Sequence, residues 1–97
     1  MRLNEHEKTA IREVIHGVDP TADIYLFGSR LDDSRHGGDI DLYAETEIQE
    51  KLLKHKFRIL SKLWERIGEQ RIDIDLKLRS APLRAIHRMA KKTGIQL

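Results

Sequence analysis

Apolar positions recur along the chain with two different periods, and the changes of period mark its elements. Ile11, Val14, Ile15 and Val18 fall on one face at helical spacing, which predicts a helix from about Asn4 to His16. Asn4 is placed to cap it, and Glu7 three residues on completes a capping-box pattern. Gly17 and then Asp19-Pro20 stop it. Asp23-Ile24-Tyr25-Leu26-Phe27 reads as a short, largely buried strand that ends in Gly28-Ser29. Residues 30–38 are polar, finish in Gly37-Gly38 and read as a loop. Asp39-Ile40-Asp41-Leu42-Tyr43-Ala44 is a second strand, with Asp39, Asp41 and Tyr43 on one face and Ile40, Leu42 and Ala44 on the other.

The longest amphipathic run predicts a helix from Glu47 to Ile67. Ile48, Leu52, Leu53, Phe57, Leu60, Leu63, Trp64 and Ile67 form its apolar stripe, and Gly68 ends it. Arg71 to Leu78 alternates again as a third strand, on which Asp73 and Asp75 share a face. Ser80 is placed to cap a last helix with Pro82 in its first turn, Leu83, Ile86 and Ala90 on its buried side, and Gly94 at its end. This order describes one α/β (α+β) domain over residues 1–97, a small mixed sheet with helices packed mainly on one face.

Composition narrows the picture. A chain of 97 residues buries only about 60–65% of its unfolded surface, so its core is modest and a partner that covers more apolar surface would help it. Charged residues make up 35%, against roughly 25% in a typical domain, yet the strong periodicity argues for order. There is no cysteine, which excludes disulfides and thiolate metal sites. No apolar run is long enough for a membrane span, and Met1 to Glu5 lacks the apolar stretch of a signal peptide, so a cytoplasmic location is expected. The net charge of +2 is too mild to argue for nucleic acid as a partner.

Candidate chemistry sits in the acidic strands. Two aspartates two positions apart on a strand lie on one face about 6.5–7 Å apart, and a third from a neighbouring strand lies about 4.8 Å to the side. Three convergent carboxylates are costly without a counter-charge, and hard oxygen ligands suit Mg2+ or Mn2+. Asp-x-Asp on a strand also occurs as an ordinary solvated face. Two such pairs, the first following a strand-Gly-Ser turn, shift the balance towards a site. At that turn Gly28 lets a ligand approach the backbone, the Ser29 hydroxyl can bond a phosphate oxygen, and Arg30 can add charge. No Walker lysine follows, and no dinucleotide-binding glycine pattern is present. His36 reads as a solvated loop residue and His87 as a satisfied structural histidine. His6, His16 and His55 show no ligand clustering. Phe57 and Trp64 read as core or as an interface patch, and Tyr43 either borders a ligand or simply packs.

Leu26-Phe27-Gly28-Ser29-Arg30, a gap of nine residues after Ser29, and Asp39-Ile40-Asp41-Leu42 closely resemble the signature of the minimal nucleotidyltransferases, small members of the DNA polymerase β-like nucleotidyltransferase superfamily. The resemblance extends over nearly the whole chain. It implies that fold, Mg2+ (or Mn2+) held by Asp39 and Asp41, and a nucleoside triphosphate, ATP, held by Gly28 and Ser29 with Arg30. The family's third acid stands on an apolar-Asp-apolar strand before the last helix. Asp73 fits that position best, with metal binding and activation of the attacking hydroxyl as its role. Asp75 shares its face and is the alternative.

Larger relatives carry an acceptor-binding domain for which this chain has no room, so the acceptor is expected from another polypeptide. Minimal members resemble one half of two-component toxin–antitoxin modules whose other half is a helical HEPN-type protein. The resemblance therefore implies a hetero-oligomeric antitoxin that adenylylates a tyrosine of its HEPN-type partner. Two alternatives stay open: a non-catalytic antitoxin that neutralises its partner by contact, and a nucleotide-binding subunit of a multi-subunit transferase acting on a small molecule or RNA.

Overall fold

A computed structural model describes residues 3–28 and 40–97; the predicted loop over residues 30–38, and His36 with it, lies outside them. The described elements are α1 (Glu5–Val18), β1 (Asp23–Phe27), β2 (Ile40–Thr46), α2 (Leu52–Ile67), β3 (Ile72–Leu78), α3 (Ala85–Thr93) and β4 (Ile95–Gln96). The strands form one mixed sheet in the order β3-β2-β1-β4. β1 is antiparallel to both its neighbours, and β2 runs parallel to β3. A parallel pair needs a long crossover, and α2 supplies it.

The alternation along the strands decides what faces what. Ile24 and Leu26 stand opposite Ala44 and Leu42, and Ile40 and Leu42 stand opposite Ile72 and Ile74. These residues bury one sheet face beneath Ile11, Ile15, Ile59 and Leu63 of α1 and α2. Each fully buried side chain among them is worth roughly 1.5–3 kcal/mol of apolar burial. The other face carries the strands' polar positions, and α3 lies over its middle, where His87 stacks on Tyr43. Two of the three described helices thus cover one face, in keeping with the predicted layering. No described helix is long and apolar enough to cross a membrane.

α1 opens as its sequence predicts. Glu7 N donates to Asn4 Oδ1 at 2.7 Å, and Asn4 N donates to Glu7 Oε1 at 3.2 Å. Other boundaries differ from the periodicity. α2 starts at Leu52 rather than Glu47, because Asp19 Oδ2 takes the Glu47 N–H at 3.0 Å, Thr46 Oγ1 takes that of Ile48 at 3.1 Å, and Lys51 turns left-handed at φ 57°. α3 starts at Ala85 rather than behind a Ser80 cap. Ala81 N closes a turn onto Leu78 O at 3.0 Å, and the helix begins beyond it with Arg84 as its N-cap.

The apolar stripe of α2 is also wider than its core contact. Ile59 and Leu63 are its buried residues, whereas Leu53, Phe57 and Trp64 stand exposed, as does Ile86 on α3. β4 has no counterpart in the periodicity. It reaches β1 because Gly94 has no side chain: a Cβ there would meet Leu26 O at 2.6 Å. Leu97 N then donates to Ile24 O at 2.8 Å.

Candidate functional site

The site predicted from sequence falls at one end of the open sheet face, where β1 ends and β2 and β3 begin. Phe27 stands opposite Asp41, and Asp41 stands opposite Asp73, so three strands place these residues in one row. Lateral neighbours in a sheet are about 4.8 Å apart, which makes Asp41 and Asp73 a like-charged pair directly across from one another. Such pairs cost stability. Gly28 closes the row: its φ of +82° is a value that side-chain-bearing residues avoid, and a Cβ built on it would run into Asp41 Oδ2. Gly28 is therefore packed against the Asp41 carboxylate, and only glycine fits there. Asp41 is half-buried and Asp73 exposed. Ser29, Arg30 and Asp39, the remaining predicted site residues, lie outside the described residues. Among the described residues no group of three or more His, Cys, Asp or Glu stands ready to hold a metal ion.

Asp73 and Asp75 have different surroundings. Asp75 stands opposite Tyr43 and is tied to α3, with His87 Nε2 2.8 Å from its Oδ2. Arg84 N donates to His87 Nδ1 at 3.0 Å. A nitrogen that accepts carries no proton, so the ring is in its Nε2–H form and donates to Asp75. The imidazole thus satisfies the first turn of α3 and pins that helix to β3. His87 is buried and structural, as its place on the last helix suggests. Tyr43 is fully buried between two rings, with Tyr25 at 6.0 Å and His87 at 4.8 Å between centroids. Packing is therefore its role.

The far end of the same face is charged and internally matched. Tyr43 donates its hydroxyl to Glu45 Oε2 at 2.7 Å, and Lys91 Nζ stands 3.3 Å from both Glu45 oxygens. Arg79 adds a contact to Glu45 at 3.8 Å and pairs with Asp23 at 2.6 Å. Burial raises the Glu45 carboxyl, but the Tyr43 hydroxyl, Lys91 and Lys77 outweigh it and hold the group below the usual carboxylate range. Burial and the Glu45 charge push the Tyr43 hydroxyl well above its ordinary value.

Beside this network, Asp19 accepts from Thr46 Oγ1, Glu47 N, Thr21 N and Thr21 Oγ1. Burial opposes its ionisation, yet the four donors hold it well below the ordinary carboxylate value. By sequence pattern alone Asp19 stands only as a helix stop. The signal that carries more is Asp19-Pro20-Thr21, a local turn in which an Asp side chain takes the backbone two residues on. Glu45, Lys91 and Arg79 left no motif, because they meet only through sheet register.

No protein-family model matches the chain, and no curated protein sequence is similar enough to count as a relative.

Proposed function

We propose that the chain is a metal-dependent nucleotidyltransferase with the polymerase β-like fold. It moves AMP from ATP to a hydroxyl, the tyrosine of a HEPN-type partner, and acts in this way as an antitoxin. The observation that carries this reading is the Asp41–Asp73 pair set across adjacent strands, with Gly28 packed against Asp41. Like charges side by side across strands cost stability, and a bound cation would offset that cost. The donors are all hard oxygens, which suits Mg2+ or Mn2+. Asp41 and Asp73, with Asp39 entering on its sequence position, would hold the ion. When bound, it supplies charge neutralisation at the α-phosphate and the departing pyrophosphate.

The chain's own residues do the rest. The positive-φ turn at Gly28 packs the backbone directly against the Asp41 carboxylate, so a triphosphate on the ion would lie beside the turn, and Ser29 and Arg30 follow it in the sequence as oxygen and charge partners. The acceptor oxygen attacks the α-phosphorus, the bond to the bridging oxygen breaks, and pyrophosphate leaves. Asp73 takes the hydroxyl proton on a carboxylate oxygen. It is preferred over Asp75 for this because the latter accepts from His87. Catalysis on this plan is positioning and electrostatics.

The test incubates the purified chain with a HEPN-type protein, Mg2+ and α-labelled ATP. Label on a partner tyrosine that vanishes with Asp39→Asn and with Asp41→Asn is the expected result. Neutralisation that survives both substitutions without any label would replace this reading with neutralisation by contact.

A further inference from the structure

Between Lys51 and Trp64 the chain carries five Lys and Arg residues and no Asp or Glu. Lys51, Lys54, Lys56, Arg58 and Lys62 make no ion pair among the described residues. The cations at the far end of the sheet differ, since Arg79 and Lys91 are matched by Asp23 and Glu45. The first turn of α2 also lacks an acid, so the positive end of the helix dipole adds to the same field.

An apolar stripe runs through this basic stretch. Leu53, Phe57 and Trp64 are 64%, 58% and 43% exposed, and half-buried Leu60 stands among them. Their spacing of four, three and four residues is that of a seam against which a second helix packs. Ile59 and Leu63, about a quarter-turn round the helix, make the core contact instead. Lys56 borders the stripe on one side and Lys54 on the other, as 3.6 residues per turn requires. On the sheet side, Leu53 and Lys56 line a hollow of about 360 Å³ with Ile74, Asp75 and Leu76 of β3. Trp64 Nε1 donates to Gln70 O at 3.0 Å, which satisfies the indole's one polar group and leaves its ring as an apolar surface.

We propose that this face of α2 binds an acidic amphipathic helix of another protein, laid along Leu53, Phe57, Leu60 and Trp64 with its carboxylates against Lys54 and Lys56. The charge selects the occupant. A second copy of α2 would set like charge against like along the whole seam, and such juxtaposition rejects a partner. Nucleic acid needs cations where its phosphates fall, and here the cations flank a centre of apolar side chains. A bilayer would lay hydrocarbon over a concave hollow that holds the Asp75 carboxylate, and burying that charge is costly. An acidic helix meets none of these conflicts. It seats an apolar side chain in the hollow and keeps its carboxylates outside, over the unpaired lysines, which is the apolar centre and polar rim of a protein interface.

Trp64 is the chain's single tryptophan, so its emission reads occupancy of this face directly. The probe is a display library of single helices with Leu at the seam positions and random residues at the flanking ones. Selection on the purified chain is made without ATP or Mg2+, so its outcome is independent of whether the chain transfers AMP. The selected helices are expected to carry Asp and Glu at the flanks and, as synthetic peptides, to shift Trp64 emission to the blue. Phe57→Ala weakens a selected peptide by roughly tenfold or more. Lys54→Glu combined with Lys56→Glu turns the selection towards Lys and Arg flanks. Circular dichroism checks that each variant is folded.

Anionic lipid vesicles, a short single-stranded RNA and the chain alone over a range of concentrations are the comparison arms. Selection without enrichment of acidic flanks, or binding indifferent to Phe57→Ala and to the charge reversals, would overturn the proposal. A blue shift of Trp64 produced by vesicles, by RNA or by self-association, and by no acidic helix, would overturn it in favour of that occupant.

Discussion

The two ends of the open sheet face are built from the same kinds of residue on the same strands, and they are organised in opposite ways. At the Glu45 end the buried carboxylate has opposite charges and a hydrogen-bond donor beside it: Tyr43, Lys91 and Arg79. At the Asp41 end two carboxylates face each other across adjacent strands, and a glycine is pressed against one of them. The first arrangement is what stability favours. The second places like charges side by side, which by itself disfavours the fold. Local conflict with folding is a physical marker of a functional site.

The contrast can be broken by substitution. Asp41→Asn or Asp73→Asn should cost on the order of 10^3-fold in label transfer. Thermal unfolding of the same variants should hold level or rise, because removing one of two opposed charges relieves up to about 1 kcal/mol of repulsion. Activity lost together with stability would make this end structural like the other.

Asp19→Ala should do the reverse, leaving transfer intact while costing about 3 kcal/mol, since several buried donors lose a charged acceptor. The sign with pH follows from the direction of its shift. The folded Asp19 carboxyl lies below its unfolded value, so its contribution is present at neutral pH and falls away as pH drops below about 4. Unfolding measured between pH 7 and pH 3 should therefore fall less steeply in Asp19→Asn than in the parent chain.

Gly28→Ala should cost roughly 1–3 kcal/mol through its positive φ, and it should also reduce transfer, because the added methyl displaces Asp41. Smallest is Asp75→Asn. It should keep most of the transfer activity and lose about 1–2 kcal/mol, as the bond from His87 becomes one to a neutral acceptor. If Asp75→Asn abolishes transfer and Asp73→Asn does not, the two residues exchange roles.

The sequence marked out this face better than it marked out the layers around it. Alternation in Asp39 to Ala44 and Arg71 to Leu78 was enough to put Asp41, Asp73 and Asp75 on one side, because a strand's period leaves no choice. The capping pair Asn4 and Glu7 was equally local. What failed depended on neighbours distant in the sequence. Glu47 looks helical until Asp19 takes its N–H. Ser80 looks like a cap until the Leu78–Ala81 turn uses that stretch. Leu53, Phe57 and Trp64 share one broad apolar arc with Ile59 and Leu63, and periodicity cannot say which half of such an arc meets the core. The separation of Asp73 from Asp75 was also out of reach, since it rests on His87 arriving from α3.

The strand order has a consequence for how the chain is made. β1 leaves the ribosome early, but its outer neighbour, β4, lies far downstream, beyond β2, α2, β3 and α3. The inner edge of β1 can be matched by β2 soon after synthesis, while the outer edge waits. Contacts between distant segments carry the larger loop-closure cost and form late. Until β4 emerges the nascent sheet therefore exposes the edge that Ile95 and Gln96 later seal. A nascent-chain binding partner that recognises extended backbone would find it open during that interval and closed in the finished fold.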